Sequence, residues 1–435
     1  MNNIKPLLVY SDGNGQVYNH EYLRALGSSG ERIDEIPPQA WIPLPYGSQL
    51  LELPGRLPVG IHPDTGEIEI LEGDGKEPVV AVAAFVAPAY TICYHAAYER
   101  LPGTPLLPLY AYSAVGWYAE DIHDAGRFYV PAIRIDESIR QDPSQFSEER
   151  IQKAAQQVLK RFSNNRLAHH LVQNCALEYG CPAALNFLLN RWELPLPTSQ
   201  SCNADCLGCI SLQKDSGVCS AQFRIAFTPT VREVVEIAVE HLETAPQPVA
   251  SFGQGCEGEP LMNPRLLIGA VKGIRQKTAI GTLNLNTNAS RPDVVAALRE
   301  AGLDSLRVSL NSARELYYNR YFRSKGYRFA DVLASIEAMK SRGGFVSLNL
   351  FVFPGFTDQP AEIEALEGLI KHYKIDMIQW RNLNIDPEWY WETLQPGGQT
   401  GIGIRAAIDR VRAEFPTLRH GYFNPCLADQ KKSGI

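Results

Sequence analysis

Between Val249 and Arg381 the chain alternates short apolar runs with amphipathic segments of helical period, and this alternation narrows the fold more than any other feature. The strand candidates are Val249 to Phe252, Thr282 to Asn286, Ser305 to Leu310, Val346 to Phe353 and Met377 to Arg381. The helix candidates are Val231 to His241, Pro264 to Gln276, Arg291 to Ala301, Phe329 to Ser341 and Ala361 to His372. Strands joined through a helix-length crossover pair in parallel, because only antiparallel neighbours can be linked by a tight turn. The apolar run Leu194 to Leu196 adds a strand ahead of the first helix. An α/β unit of about six β/α repeats is therefore expected over 194–390.

The remainder of the 435 residues exceeds one typical domain. Residues 1–145 read as an α+β unit, with Leu7 to Tyr10 and Val79 to Val86 as buried strands between Gly/Pro-rich segments. Residues 146–193 read as a helical connector. It opens at Ser147 with acids in the first turn and is interrupted at Gly180-Cys181-Pro182. Residues 391–435 are taken as a C-terminal extension.

The net charge of -7, with no Lys/Arg tract, offers a long polyanion no basic footprint, so nucleic acid is an unfavoured partner. No apolar run approaches the roughly 20 residues needed to span a bilayer, and MNNIKPLLVYSDGNG lacks the apolar stretch of a signal peptide. A cytoplasmic protein without a membrane partner is expected. Nine cysteines are too sparse for a disulfide scaffold and suit a reducing compartment, where clustered cysteines bind metal.

Three of them stand in Ser201-Cys202-Asn203-Ala204-Asp205-Cys206-Leu207-Gly208-Cys209. Their C-x3-C-x2-C spacing lets one loop turn three thiolates toward a single centre. Three thiolates fit an iron–sulfur cube with one iron left open. The alternative is a zinc-stabilised binding module with Cys219 as the fourth ligand. A second stretch, after the strand ending at Phe252, spells G-x-G-x-x-G at Gly253, Gly255 and Gly258. A dinucleotide site is disfavoured there, because Pro260 and Asn263-Pro264 delay the helix that would receive a pyrophosphate.

The cysteine loop and the turn Gly258-Glu259-Pro260 resemble the motifs of the radical S-adenosylmethionine (radical SAM) enzymes. The resemblance covers roughly residues 194–390 and departs at two positions. Glu257 replaces the first glycine of the family's Gly-Gly-Glu-Pro, and Gly208 replaces the aromatic residue usual before the third cysteine. The resemblance implies a partial (β/α)6 TIM-like barrel with its chemistry at the C-terminal strand ends. It implies a 4Fe–4S cluster on Cys202, Cys206 and Cys209, oxygen sensitivity, and S-adenosyl-L-methionine held by Gly258, Glu259, Thr287, Ser309 and Asn311. The reaction implied is reductive cleavage of SAM to a 5′-deoxyadenosyl radical that modifies a small molecule, peptide or protein, with an RNA-modifying enzyme as a further reading. An electron donor such as flavodoxin or ferredoxin is implied as a partner. The carboxylate of Glu257 would suit SAM's cationic amine.

The sixth strand is polar for a parallel strand, which normally reads as an apolar run. Period two places Gln379 and Arg381 on one face. They are expected to meet the substrate, Arg381 through a carboxylate or phosphate, the alternative being a buried ion pair of Arg381 with an acid of the barrel.

Overall fold

A computed structural model describes residues 4–73, 79–120, 124–214 and 216–427. Seven strands form one all-parallel sheet in sequence order: Glu193–Leu196, Val249–Phe252, Thr282–Thr287, Ser305–Leu310, Phe345–Val352, Met377–Asn382 and Arg419–Gly421. Each of the six expected strands is present within a residue or two. The five crossover helices are present too, Val231–Thr244 (three residues longer than expected), Pro264–Lys277, Pro292–Ala301, Phe329–Lys340 and Pro360–Tyr373. The chain thus folds as α/β with a partial (β/α)6 TIM-like barrel.

The seventh strand comes from residues expected to be a mere extension. It pairs in parallel with the sixth, Met377 opposite Arg419. Three residues are too few to show period two, which is why the sequence pattern hides it. Two helices, Pro387–Leu394 and Ile404–Glu414, carry the chain to it.

Ahead of the first barrel strand, which begins at Glu193, the chain forms helices Glu148–Arg161, Arg166–His170 and Pro182–Leu188, called the connector below. Between the last two, Leu171–Glu178 is wound as a π-helix. The connector is tied to the barrel through Glu233. That side chain closes a capping box with Thr230 and takes a bidentate grip from Arg166, Nε at 2.7 Å and Nη2 at 2.8 Å. The guanidinium beside it holds the Glu233 carboxyl down to about 2.

The N-terminal unit corrects the α+β reading. Its described strands form one thirteen-stranded sheet with antiparallel pairings, and its only helical pieces among the described residues before 146 are two 3-10 turns. Helix-favouring residues Glu21, Leu23, Arg24, Ala25 and Leu26 lie inside the long strand Val17–Ser29, because that strand has partners along both edges. Ladder pairing overrides local propensity here.

This unit docks on the barrel through buried polar contacts. Asn382 accepts from Ile92 N at 2.9 Å and donates to Tyr90 O at 3.0 Å. Arg56 and Asp386 form an ion pair at 2.8 Å with both side chains fully buried. The Asp386 carboxylate also accepts from Leu107 N and from Glu388 N and Trp389 N at its helix start. His95 is buried against the Phe353 ring, centroids 4.5 Å apart, and burial pushes its imidazole down to about 3.

Candidate functional site

The C-terminal ends of the strands open into a cavity of about 540 Å³. The loop 202–209 forms one wall, and its three cysteines all line the space. Backbone bonds from Asp205 N to Phe322 O and from Leu207 N to Tyr321 O dock the loop on helix Glu315–Phe322. Burial pushes the Cys202 thiol up to about 11 and Cys206 well above its ordinary value. Neutral thiols gathered in a low-dielectric wall are what a metal centre would deprotonate on binding. Arg224 Nη2 lies 3.7 Å from Cys209 Sγ, a donor to a future thiolate.

The spacing bears on which centre fits. One zinc holds its sulfurs about 3.8 Å apart, the edge of a tetrahedron with Zn–S of about 2.3 Å. The three loop cysteines are not among the described groups whose donor atoms all lie within 4.8 Å of one another. Cys219 is exposed and does not line the cavity, so it is not placed to close a four-thiolate zinc site. Wider-set thiolates suit a cluster, which presents each with its own iron.

Opposite the loop, Gly258 and Glu259 meet it backbone to backbone. Gly258 N donates to Ser199 O at 2.7 Å and Glu259 N to Ser201 O at 2.8 Å. A Cβ on Gly258 would stand 2.0 Å from Ser201 O, so only glycine fits between motif and loop. Gly253 is pressed likewise on the backbone of Asn286. These glycines serve close packing of adjoining strand ends, and no helix start faces them as a pyrophosphate site would require.

The two acids of the turn are buried with different partners. Glu259 accepts from Leu261 N, Asn288 N and the Thr287 hydroxyl, joining the ends of the second and third strands. Burial raises its carboxyl to about 7. Glu257 accepts from Thr198 N, Ser199 N, Gly253 N and Gln254 N, all between 2.7 and 3.0 Å. Its carboxylate is a staple between loops, which corrects the expectation that it waits for a cationic amine.

Thr287 and Ser309 line the same cavity as the cysteines. Asn311 is not among its lining residues. Its amide donates to Tyr317 O at 3.1 Å and toward the Tyr390 hydroxyl at 3.4 Å, because the backbone has left the strand at Leu310. Gln379 also falls outside the lining. Its amide accepts from Arg307 Nη1 and donates to Asn424 Oδ1, both at 3.1 Å, one layer beneath the cavity floor. Arg381 does reach the cavity, its guanidinium 4.1 Å from the Tyr422 ring centroid and bonded to Tyr422 O at 2.9 Å.

Sequence reasoning missed Arg307, Asn349, Tyr321 and Asn424, all lining residues. Arg307 had a signal: it stands two positions before Ser309 on a buried parallel strand, hence on the same face. Burial, then the Arg381 charge, push its guanidinium down to about 9, and its Nε is buried without a partner. Tyr321 had none. It comes from helix Glu315–Phe322, and its hydroxyl lies 3.1 Å from where a Cβ on Gly208 would stand, so an aromatic ring borders the third cysteine from another element.

Residues 196–366 match the model of the Radical SAM superfamily. This segment is a radical SAM domain. Members of that superfamily bind a 4Fe–4S cluster and S-adenosylmethionine. Solved structures similar to it include HydG, a maturase of the FeFe-hydrogenase, at 15% identity over 62% of this chain and 65% of that one, TM-score 0.36. A native anSMEcpe structure with bound AdoMet matches at 18% identity over 43% and 52%, TM-score 0.34. Streptococcus suis SuiB bound to precursor peptide SuiA matches at 16% identity over 46% and 43%, TM-score 0.32. The chain thus spans less than two thirds of the length of each. No described helix is long and apolar enough to cross a membrane.

Proposed function

We propose that this radical SAM enzyme acts on a small anionic molecule, bound between Arg307 and Arg381 on the floor of the cavity whose wall carries the cluster loop. The observation that carries this reading is that the thiols of Cys202, Cys206 and Cys209 share one cavity of about 540 Å³ with the guanidiniums of Arg307 and Arg381. Cys202, Cys206 and Cys209 would hold the cluster, and Gly258, Glu259, Thr287 and Ser309 would face SAM. When bound, these groups supply a 5′-deoxyadenosyl radical by reductive cleavage.

The rest is the chain's own work. Two like charges facing one space repel, and Arg307 keeps a buried N–H with no acceptor. A carboxylate or phosphate would relieve both conditions, and planar guanidiniums offer it paired donors. Gln379 acts beneath as a positioning residue, fixing Arg307 against Asn424. Tyr179, Cys181, Pro182 and Ala183 of the connector border the cavity and narrow its access to water. Asn311 is left out of the SAM set because its amide is engaged with Tyr317 and Tyr390.

The test separates cofactor from substrate. Dithionite-reduced protein with SAM should release 5′-deoxyadenosine slowly by itself. A small-molecule extract split by anion exchange should accelerate release only through its anionic pool, and Arg381→Ala should abolish that acceleration while keeping the basal rate. Acceleration by the neutral pool alone overturns the anionic reading.

A further inference from the structure

A second set of soft ligands lies outside this cavity wall, where the connector packs behind the turn that carries Gly258 and Glu259. Cys175 Sγ and Cys256 Sγ are 3.6 Å apart and buried. One ligating nitrogen of His170 lies within 4.8 Å of both sulfurs, and this is the group of three or more ligating side chains so gathered among the described residues. We propose that His170, Cys175 and Cys256 form a binding site for a single thiophilic cation, Zn²⁺ by its chemistry, distinct from the 4Fe–4S cluster.

Three observations converge on it. The backbone is distorted in the way that builds the site. In a regular α-helix, residues five apart point about 140° away from each other, at 3.6 residues per turn. The π-helix Leu171–Glu178, with its i to i+5 hydrogen bonds, brings Cys175 back over His170. The sulfur separation also fits: a tetrahedral zinc with Zn–S of about 2.3 Å needs an S···S edge of about 3.8 Å. Two thiols in plain contact would show a similar distance, but the third donor sets this pair apart. The Nε2 of His170 is buried and has no hydrogen-bond partner, a state shared by His169 Nε2, His241 Nδ1 and His420 Nε2, but among the described residues only His170 is gathered with two cysteine sulfurs.

Two thiolates and an imidazole select zinc over the hard divalent cations. Binding would release the two thiol protons to solvent and leave the imidazole neutral. An entry path exists, since His170 borders a surface cavity of about 570 Å³ with His169, Arg224 and Phe227. The three ligands span the connector and the SAM-facing turn, so the ion would act as a clasp holding that turn from behind. The fourth position is left to water.

The test uses the full chain with Cys202, Cys206 and Cys209 replaced by Ser, purified anaerobically under reductant and titrated with Co²⁺. We expect about one Co²⁺ per chain with thiolate-to-cobalt charge-transfer absorption, displaced by Zn²⁺. Adding Cys175→Ala should abolish the charge-transfer band, and His170→Ala should weaken cobalt binding at least about tenfold. Should the triple variant not fold, metal analysis of reconstituted wild-type protein replaces it: about one zinc beyond the cluster's roughly four irons, lost in Cys175→Ala with the iron retained. No thiolate-bound cobalt, or a zinc content that Cys175→Ala leaves unchanged, overturns the site. Loss of iron bears instead on the cluster loop.

Discussion

Replacing Asp386 by Asn should loosen the N-terminal unit from the barrel more than any exposed charge change could. Asp386 Oδ2 takes Arg56 Nη2 and Leu107 N, while Oδ1 takes two N–H groups of its own helix start. Asparagine keeps one oxygen for two of these four donors and turns an NH2 toward the others. It also leaves Arg56 buried with carbonyl acceptors only, those of Pro54 and Pro105. Removing one partner of a buried ion pair costs about 3–5 kcal/mol. For a unit of 150–250 residues, 1 kcal/mol is worth roughly 2–4 °C, so the melting temperature should fall on the order of 10 °C. Arg56→Met should cost less, about 2 kcal/mol, because the carboxylate keeps three backbone donors. Adding Arg56→Met to Asp386→Asn should then recover part of the loss, since no charge is left unpaired. Differential scanning calorimetry of the four proteins decides. A fall below about 2 °C in Asp386→Asn, or a double variant whose loss equals the sum of the singles, would refute this account of the Arg56–Asp386 ion pair.

Cys202→Ala, Cys206→Ala or Cys209→Ala should lose the cluster's iron, measured after anaerobic reconstitution, whereas Cys219→Ala should keep it, since that thiol is exposed and off the cavity. Glu259→Ala should bind SAM more weakly by equilibrium dialysis and also melt lower, because it strands the buried N–H groups of Leu261 and Asn288 at about 1–3 kcal/mol each. Normal SAM affinity would remove Glu259 from the cofactor set. Acid should destabilise the protein partly through His95: it is neutral when folded, with its pKa pushed down to about 3, but protonates near 6.5 when unfolded, so stability present above that value is lost as pH falls. At pH 5 this loss is about 2 kcal/mol, and His95→Phe should show a pH 7 to pH 5 melting shift smaller by that amount.

The barrel was legible because parallel strands buried on both faces read as apolar runs, and the crossover helices repeat at helical period. The shared placement of Cys202, Cys206 and Cys209 on one cavity was legible because the three lie within one short loop. What the sequence hid was non-local. Nothing near Gly208 announces Tyr321, and nothing near Arg307 announces that Gln379 holds it from a strand 72 residues away. The antiparallel character of the N-terminal unit was concealed in Val17–Ser29, whose helix-prone residues obey their neighbours across the sheet. The loss of Asn311 from the cavity follows from a turn in the backbone just past Leu310 that period-two counting cannot see.

Asn424 gives the barrel interior a timetable. Its amide donates to Glu193 Oε1 at 2.8 Å across a separation of 231 residues, and its oxygen accepts from Gln379. Glu193 also accepts from the nearer Ser251 hydroxyl, but at about 5–20 residues per second it leaves the ribosome some 10–50 s before Asn424, its later partner, exists. Until then the growing sheet presents an unpaired edge on its newest strand and a polar interior without its last partner, a state prone to wrong pairing. Cells should therefore need holdase protection of this nascent chain, and loading of iron should wait until the whole sheet has been synthesised.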